Sequence, residues 1–243
     1  MDSQLRVTRY RQRAMMSTMS TSSVAADVRK KVLRSRNRFW RPDDFAGSPE
    51  AVAKALSRLT RSGKLRRVRR GLYWRGAETR LGMAPPPTER LVKEVVEESG
   101  VGPASLSAAL MLGLTTQVPR IETMAIPGRV PRKAQGVEFV SRNASTRRRD
   151  ERLRPAEVAL LETLRDWEGL VEVPLAEALD RVEALARDGT VRVDRIVRAS
   201  TTEPPRVRER LRKLLTALNR SDEAESVPGA RSPRAREDLA FGL

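Results

Sequence analysis

Apolar side chains recur first at Val24, Val28, Val32 and Leu33, a spacing that predicts a helix capped by Ser22 or Ser23 and ending near Ser35. Phe39 and Trp40 follow as a short buried strand, and Pro42 with Asp43 and Asp44 predicts a short second helix closing at Gly47. The third helix has the clearest start. Ser48 supplies an N-cap, Pro49 the first helical position and Glu50 an acid in the first turn. Val52, Leu56 and Leu59 then fall on one face, with Lys54, Ser57, Arg58 and Arg61 opposite, until Gly63 provides the stop. Beyond it, Leu65, Val68, Leu72, Tyr73 and Trp74 are packing positions of a hairpin whose turn carries Arg69, Arg70 and Gly71.

The stretch AETRLGMAPPPTER, with its run Pro85 to Pro87, reads as a semi-rigid linker, and a second domain begins near Thr88. Leu91, Val95 and Val96 mark a helix stopped by Gly100, and Pro103 to Leu112 another stopped by Gly113. Ile121 to Ile126 and Val137 to Ser141 read as paired strands joined by a long hairpin loop, PGRVPRKAQG. From Pro155 the period is helical: Val158, Leu161 and Leu164; then Leu175, Leu179, Val182 and Leu185 up to Gly189; then Ile196 and Val197. A last stripe, Val207, Leu211, Leu214, Leu215 and Leu218, is read as core, the alternative being an apolar face offered to another protein.

These elements predict an α+β chain: an N-terminal winged helix-turn-helix, then a mixed, mainly helical second domain with a short β-hairpin or small sheet. The expected segments are a flexible basic leader (1–21), the winged helix (22–80), an interaction domain (81–220) and a disordered tail (221–243).

Charge sharpens this division. Of the net charge of +17, residues 1–80 contribute +15, from 21 Lys and Arg against 6 acids, while residues 81–243 are nearly balanced at +2. One cationic third attached to a neutral remainder is the pattern of a polyanion-binding module joined to something else. Within it, Arg58, Arg61, Lys64, Arg66, Arg67, Arg69 and Arg70 occur without an intervening carboxylate, an arrangement that repels itself unless a partner neutralises it. With a helix and a hairpin to carry them, the expected partner is double-stranded DNA. The expected contacts are Lys54, Ser57, Arg58, Arg61, Lys64, Arg66, Arg67, Arg69 and Arg70.

Other chemistry is thinly represented. Cysteine and histidine are both absent, which removes disulfides, thiolates and the commonest general base and metal ligand. There is no Gly-rich phosphate loop, no GxSxG, no HExxH and no Gly-Ser followed by spaced aspartates. The acid pairs Glu97/Glu98 and Asp150/Glu151 read as solvated helix ends, and the triplet Asn143-Ala144-Ser145 as an idle sequon. No apolar run approaches the roughly 18 residues of a membrane span, and no secretory h-region is present. The expectation is a cytoplasmic protein, not an enzyme, with no catalytic residues, metal or cofactor and no membrane partner.

The stretch FWRPDDFAGSPEAVAKALSRLTRSGKLRRVRRGLYWRG resembles the N-terminal winged helix-turn-helix of the AbiEi-type antitoxins of type IV toxin–antitoxin systems. The later SLSAALMLGLTTQVPRIETMAIPGRVPR is more loosely similar to the body of the same family. The resemblance covers roughly residues 24–218. It implies a repressor of its own operon that binds promoter DNA repeats and counteracts a cognate nucleotidyltransferase toxin of AbiEii type. It further implies DNA-facing positions at Lys54, Ser57, Arg58 and Arg61 on the helix and Arg66, Arg67, Arg69 and Arg70 on the wing. The basic leader and the long tail depart from the compact family pattern. A plain winged-helix regulator with a ligand-sensing or dimerising second domain is the alternative. An RNA-binding or nuclease-like accessory protein is disfavoured by the absence of an aromatic platform among the arginines.

Overall fold

The computed structural model describes residues 23–96, 98–131 and 134–229, and within it the chain divides into two compact units at the Leu91/Val92 junction. The expected boundary at 80/81 is corrected by this division. It would cut the tip of a small hairpin, β4 (Glu78–Thr79) and β5 (Gly82–Met83), that lies where the proline run suggested a linker. The leader lies outside the described residues.

The first unit begins with α1 (residues 23–34), which buries Val28 and Val32 and leaves Leu33 outside. The strand β1 (Arg38–Trp40) follows as expected, but the predicted second helix is a single 3-10 turn, Pro42–Asp44. The physical reason lies in its end: Phe45, already extended, closes that turn and turns its ring inward onto Trp40, at a centroid distance of 5.0 Å. α2 (Pro49–Arg61) starts as the sequence predicts, with the Ser48 hydroxyl accepting from the Ala51 amide at 3.3 Å. Its inner face, Val52, Ala55, Leu56 and Leu59, packs into a core with Val28, Val32, Trp40, Phe45, Leu65 and Tyr73.

The strands β2 (Arg66–Arg69) and β3 (Leu72–Arg75) form the expected hairpin, and β1 adds to the other side of β3, giving the antiparallel order β1-β3-β2. At the turn Gly71 has φ +77°, a left-handed conformation that any side chain would strain. Leu65, Val68, Leu72, Tyr73 and Trp74 are all buried, as expected of packing residues.

α3 (Thr88–Val95) carries the chain across the junction and stops five residues before Gly100. In the second unit, β6 (Gly102–Pro103), α4 (Leu106–Met111), β7 (Glu122–Ile126) and β8 (Val137–Ser141) build a three-stranded sheet in the order β6-β7-β8 with a helix beside it. Two expectations change here. Pro103 opens no helix but ends an edge strand, which suits a residue without an N–H to donate. β7 and β8 pair in parallel, not as a hairpin. The ten residues 127–136 are long enough to return along a five-residue strand of about 16 Å, so the length of the loop does not select the antiparallel pairing.

The remaining elements are helical: α5 (Arg147–Asp150), α6 (Pro155–Thr163), α7 (Trp167–Leu170), α8 (Leu175–Arg187), α9 (Val193–Ala199), α10 (Pro205–Ala217) and α11 (Ser221–Ser226). α6 is the central one, buried on every side. It approaches β6 so closely that a Cβ on Gly102 would lie 2.6 Å from the Val158 Cβ and 2.8 Å from the Pro155 carbonyl. The stripe of α10 is core: Val207, Leu211, Leu214 and Leu215 are covered, so the alternative of a free apolar face is corrected. The expected tail is corrected in part as well. α11 packs Ala224, with Val227 just beyond it, into the same core, apolar contacts that a disordered segment would forgo. The later part of the tail lies outside the described residues.

Candidate nucleic-acid interface

α2 projects Lys54, Ser57, Arg58 and Arg61 at spacings of three and four residues, one stripe opposite its buried face. Lys54, Arg58 and Arg61 are exposed, and Ser57 is half-buried. The helix ends directly into the hairpin, held by the amides of Lys64 and Leu65, which both donate to the Leu59 carbonyl at 2.9 and 3.2 Å. These bonds fix the start of β2 to the last turn of α2, so the stripe and the hairpin arginines belong to one rigid piece.

The hairpin exposes Arg66, Arg67 and Arg70. Strand alternation would send Arg66 and Arg67 to opposite faces. Both are exposed in unbroken register with Trp74 and Tyr73; the register shift of one residue comes after them, between Arg67 and Arg69, where Val68 is buried. Arg70 is exposed at the turn, and Arg69 beside it is half-buried.

Two of the nine expected contacts are already engaged. Lys54 pairs with Glu50 at 2.8 Å along the exposed helix, and Lys64 pairs with Glu78 at 3.2 Å. Both acids are held below the usual carboxylate range. For Glu50 the cause is the hydrogen bond and charge of Lys54; for Glu78 it is the hydrogen bonds from Lys64 and then Arg75. Arg66 donates to the Met83 carbonyl at 3.4 Å, a contact that leaves its charge uncompensated. Arg58, Arg61, Arg67, Arg69 and Arg70 have no carboxylate within 4.0 Å among the described residues. The helix and hairpin therefore carry a row along the chain of guanidinium groups without carboxylate partners, chemistry suited to phosphate oxygens.

The second unit contains polar chemistry that the sequence reading missed. Arg148, with no exposed side-chain surface, donates to Glu203 at 2.6 and 2.8 Å and to Glu162 at 2.7 Å. Arg142 and Arg165 close the group from its edges, Arg142 on Glu162 and Arg165 on both acids. Burial alone would raise the Glu162 carboxyl, but the hydrogen bond from Arg142 and the charges of Arg148, Arg142 and Arg165 outweigh it and hold it below its ordinary value. Nearby, Glu157 accepts from the Arg192 guanidinium at 2.6 and 2.8 Å and from the Arg154 amide at 2.6 Å. Each acid accepts from several donors, so these groups lock helices together. The signal available in the sequence was the pair Glu157 and Glu162, two acids in an otherwise apolar helix.

Glu151, expected as a solvated helix end, is corrected: it accepts from Arg198 at 2.9 Å and Arg195 at 3.2 Å and ties α5 to α9. Asp150 and Glu98 are exposed, and Glu97 lies outside the described residues. Among the described residues no group of three acids could hold a metal ion, and no helix is long and apolar enough to cross a membrane.

Residues 29–134 match the model of a family of unknown function, DUF6088. No curated protein matches the chain. Among solved structures, the chain is similar to the crystal structure of the RV2827C protein from Mycobacterium tuberculosis, at 18% identity with a TM-score of 0.44, over 92% of this chain and 81% of that one.

Proposed function

We propose that the first unit is a winged helix that binds duplex DNA, with α2 in the major groove and the β2–β3 hairpin as the wing along the backbone. The observation that carries this reading is the row Arg58, Arg61, Arg67, Arg69 and Arg70, presented without carboxylate partners on one rigid helix–hairpin piece. On this reading the arginines at the hairpin turn neutralise phosphates and set the register, whereas Lys54, Ser57 and Arg58 reach base edges.

For the whole chain we propose an antitoxin of the AbiEi kind: a repressor of its own operon that counteracts a nucleotidyltransferase toxin. The support is the resemblance of residues 39–76 and 105–132 to that family, together with a basic first unit followed by a charge-balanced second part. The second unit then serves protein contacts or toxin neutralisation, because it gains little from DNA.

The test is co-expression of the full chain with the product of the neighbouring reading frame, which on this reading is a nucleotidyltransferase, alongside a reporter driven by the DNA upstream of the chain's own coding sequence. The expected result is rescue of growth together with repression. A variant carrying Ala at Arg58, Arg61, Arg69 and Arg70 should lose repression and keep rescue. Toxicity unaffected by the full chain would leave a plain DNA-binding regulator.

A further inference from the structure

The hairpin β4–β5 carries at its tip the most exposed large apolar side chain among the described residues, Leu81, beside an exposed Arg80. Isolated exposed leucines are common on protein surfaces and need no partner. What distinguishes this one is how firmly it is held. The Thr79 hydroxyl donates to the Gly82 carbonyl at 2.7 Å and accepts from the Leu81 amide at 3.2 Å, closing the tip. At the base, the Ala84 amide donates to Ala77 at 2.9 Å, and the Trp74 indole donates to the Ala84 carbonyl at 2.8 Å. The hairpin is thus fastened to β3.

The hairpin is also fastened to the basic row. Lys64, just past the end of α2, reaches Glu78, and Arg66 at the start of β2 reaches the Met83 carbonyl. Glu78 is the hairpin's one acid, and it already faces both Lys64 and Arg75. What the tip offers outward is one cation and one apolar side chain, on a rigid arm beside the guanidinium row. We propose that this hairpin is a second DNA-contacting arm, with Arg80 on a phosphate and Leu81 seated against the sugar edges of the groove adjoining the one entered by α2. The proposal rests on the duplex-DNA reading of the first unit and adds a contact that the α2 and β2–β3 residues do not provide. Apolar side chains set among cations are a recurring means of gripping a groove wall or wedging a base step.

The experiment uses the full chain and a fluorescent duplex taken from the DNA upstream of its own coding sequence, titrated across a range of salt. Leu81→Ser should weaken binding by about tenfold, as expected when roughly half of a leucine side chain fails to leave water. The salt slope should not change, because no counterion is involved. Arg80→Ala should instead flatten the slope by about 0.9. Both side chains are exposed, so neither change should alter the melting temperature. If both variants match the unaltered chain in affinity and slope while Arg70→Ala still weakens binding, the arm is refuted and the duplex reading stands. If the unaltered chain binds no duplex, both fall. Loss of binding to phosphatidylglycerol vesicles by Leu81→Ser, with duplex binding intact, would assign the tip to a lipid surface and overturn the proposal.

Discussion

Arg148 and Glu203 form a bidentate ion pair, at 2.6 and 2.8 Å, with neither side chain exposed to solvent. The partners lie 55 residues apart, so their pairing joins α5 to the segment that leads into α10. Glu162 of α6 accepts from the same guanidinium at 2.7 Å, which brings a third element into the joint. A buried pair of this kind adds little over an apolar replacement, but breaking it from one side leaves an uncompensated charge in the core.

Arg148→Ala should therefore destabilise the second unit by about 3–5 kcal/mol, read as a shift in the urea midpoint of the full chain. Arg142→Ala removes a partly exposed donor from the same Glu162 and should cost distinctly less. Equal losses from the two variants would mean that burial of the guanidinium is not what matters.

Acid should act through the same group. The folded Glu162 carboxyl titrates below its unfolded value, so its contribution is fully present above about pH 4.5 and is lost as pH falls through the lower folded value. The expected result is an acid-unfolding transition confined to that lower range. In a Glu162→Gln variant, already weakened at neutral pH, the transition should be shallower. A transition unchanged by that substitution would contradict the assignment.

Gly102→Ala tests the contact between sheet and helix. The added Cβ would meet the Val158 Cβ at 2.6 Å and the Pro155 carbonyl at 2.8 Å, and one of these is backbone that cannot rotate aside. A loss of about 1–3 kcal/mol is expected from the overpacking, with duplex binding retained because Gly102 lies outside the first unit.

Much of the first unit is legible in the sequence because its signals are local. The Ser48-Pro49 start, the period of Val52, Leu56 and Leu59, and the turn at Gly71 each depend on near neighbours, and each is found where the sequence places it. The register shift between Arg67 and Arg69 of β2 is not legible, because a strict alternation is what the strand pattern assumes. Nor is the small hairpin at Glu78–Met83, which the following proline run disguises as linker. In the second unit the misreadings are of long-range facts. Nothing in the alternation of Glu122–Ile126 and Val137–Ser141 states the direction of pairing, and Arg148 looks like any surface arginine until Glu162 and Glu203 close over it.

Within the proposed interface, Glu50→Gln separates charge from contact. Lys54 is now neutralised by Glu50 on an exposed helix face, a pair worth little to stability. Removing the acid should leave the melting temperature nearly unchanged, while duplex binding tightens and its salt slope steepens by up to about 0.9. Unchanged binding would place Lys54 away from the DNA.

The roles within the basic row divide by element. Arg69→Ala and Arg70→Ala should weaken binding to every duplex alike and flatten the salt slope by about one each. Ser57→Ala or Arg58→Ala should relax sequence preference, at roughly 1–3 kcal/mol where a base edge is read. Competition between the upstream duplex and a scrambled one distinguishes the two, and the reverse pattern would exchange the places of helix and hairpin.

The central claim is that the unpaired guanidinium row of α2 and the β2–β3 hairpin binds duplex DNA, and the salt dependence of binding by the full chain tests it most directly. With about five or six phosphates neutralised, the plot of log affinity against log salt should fall with a slope of roughly −4 to −6. The variant with Ala at Arg58, Arg61, Arg69 and Arg70 should lose most of that slope. A duplex affinity that is absent, or that does not change with salt, would contradict the account.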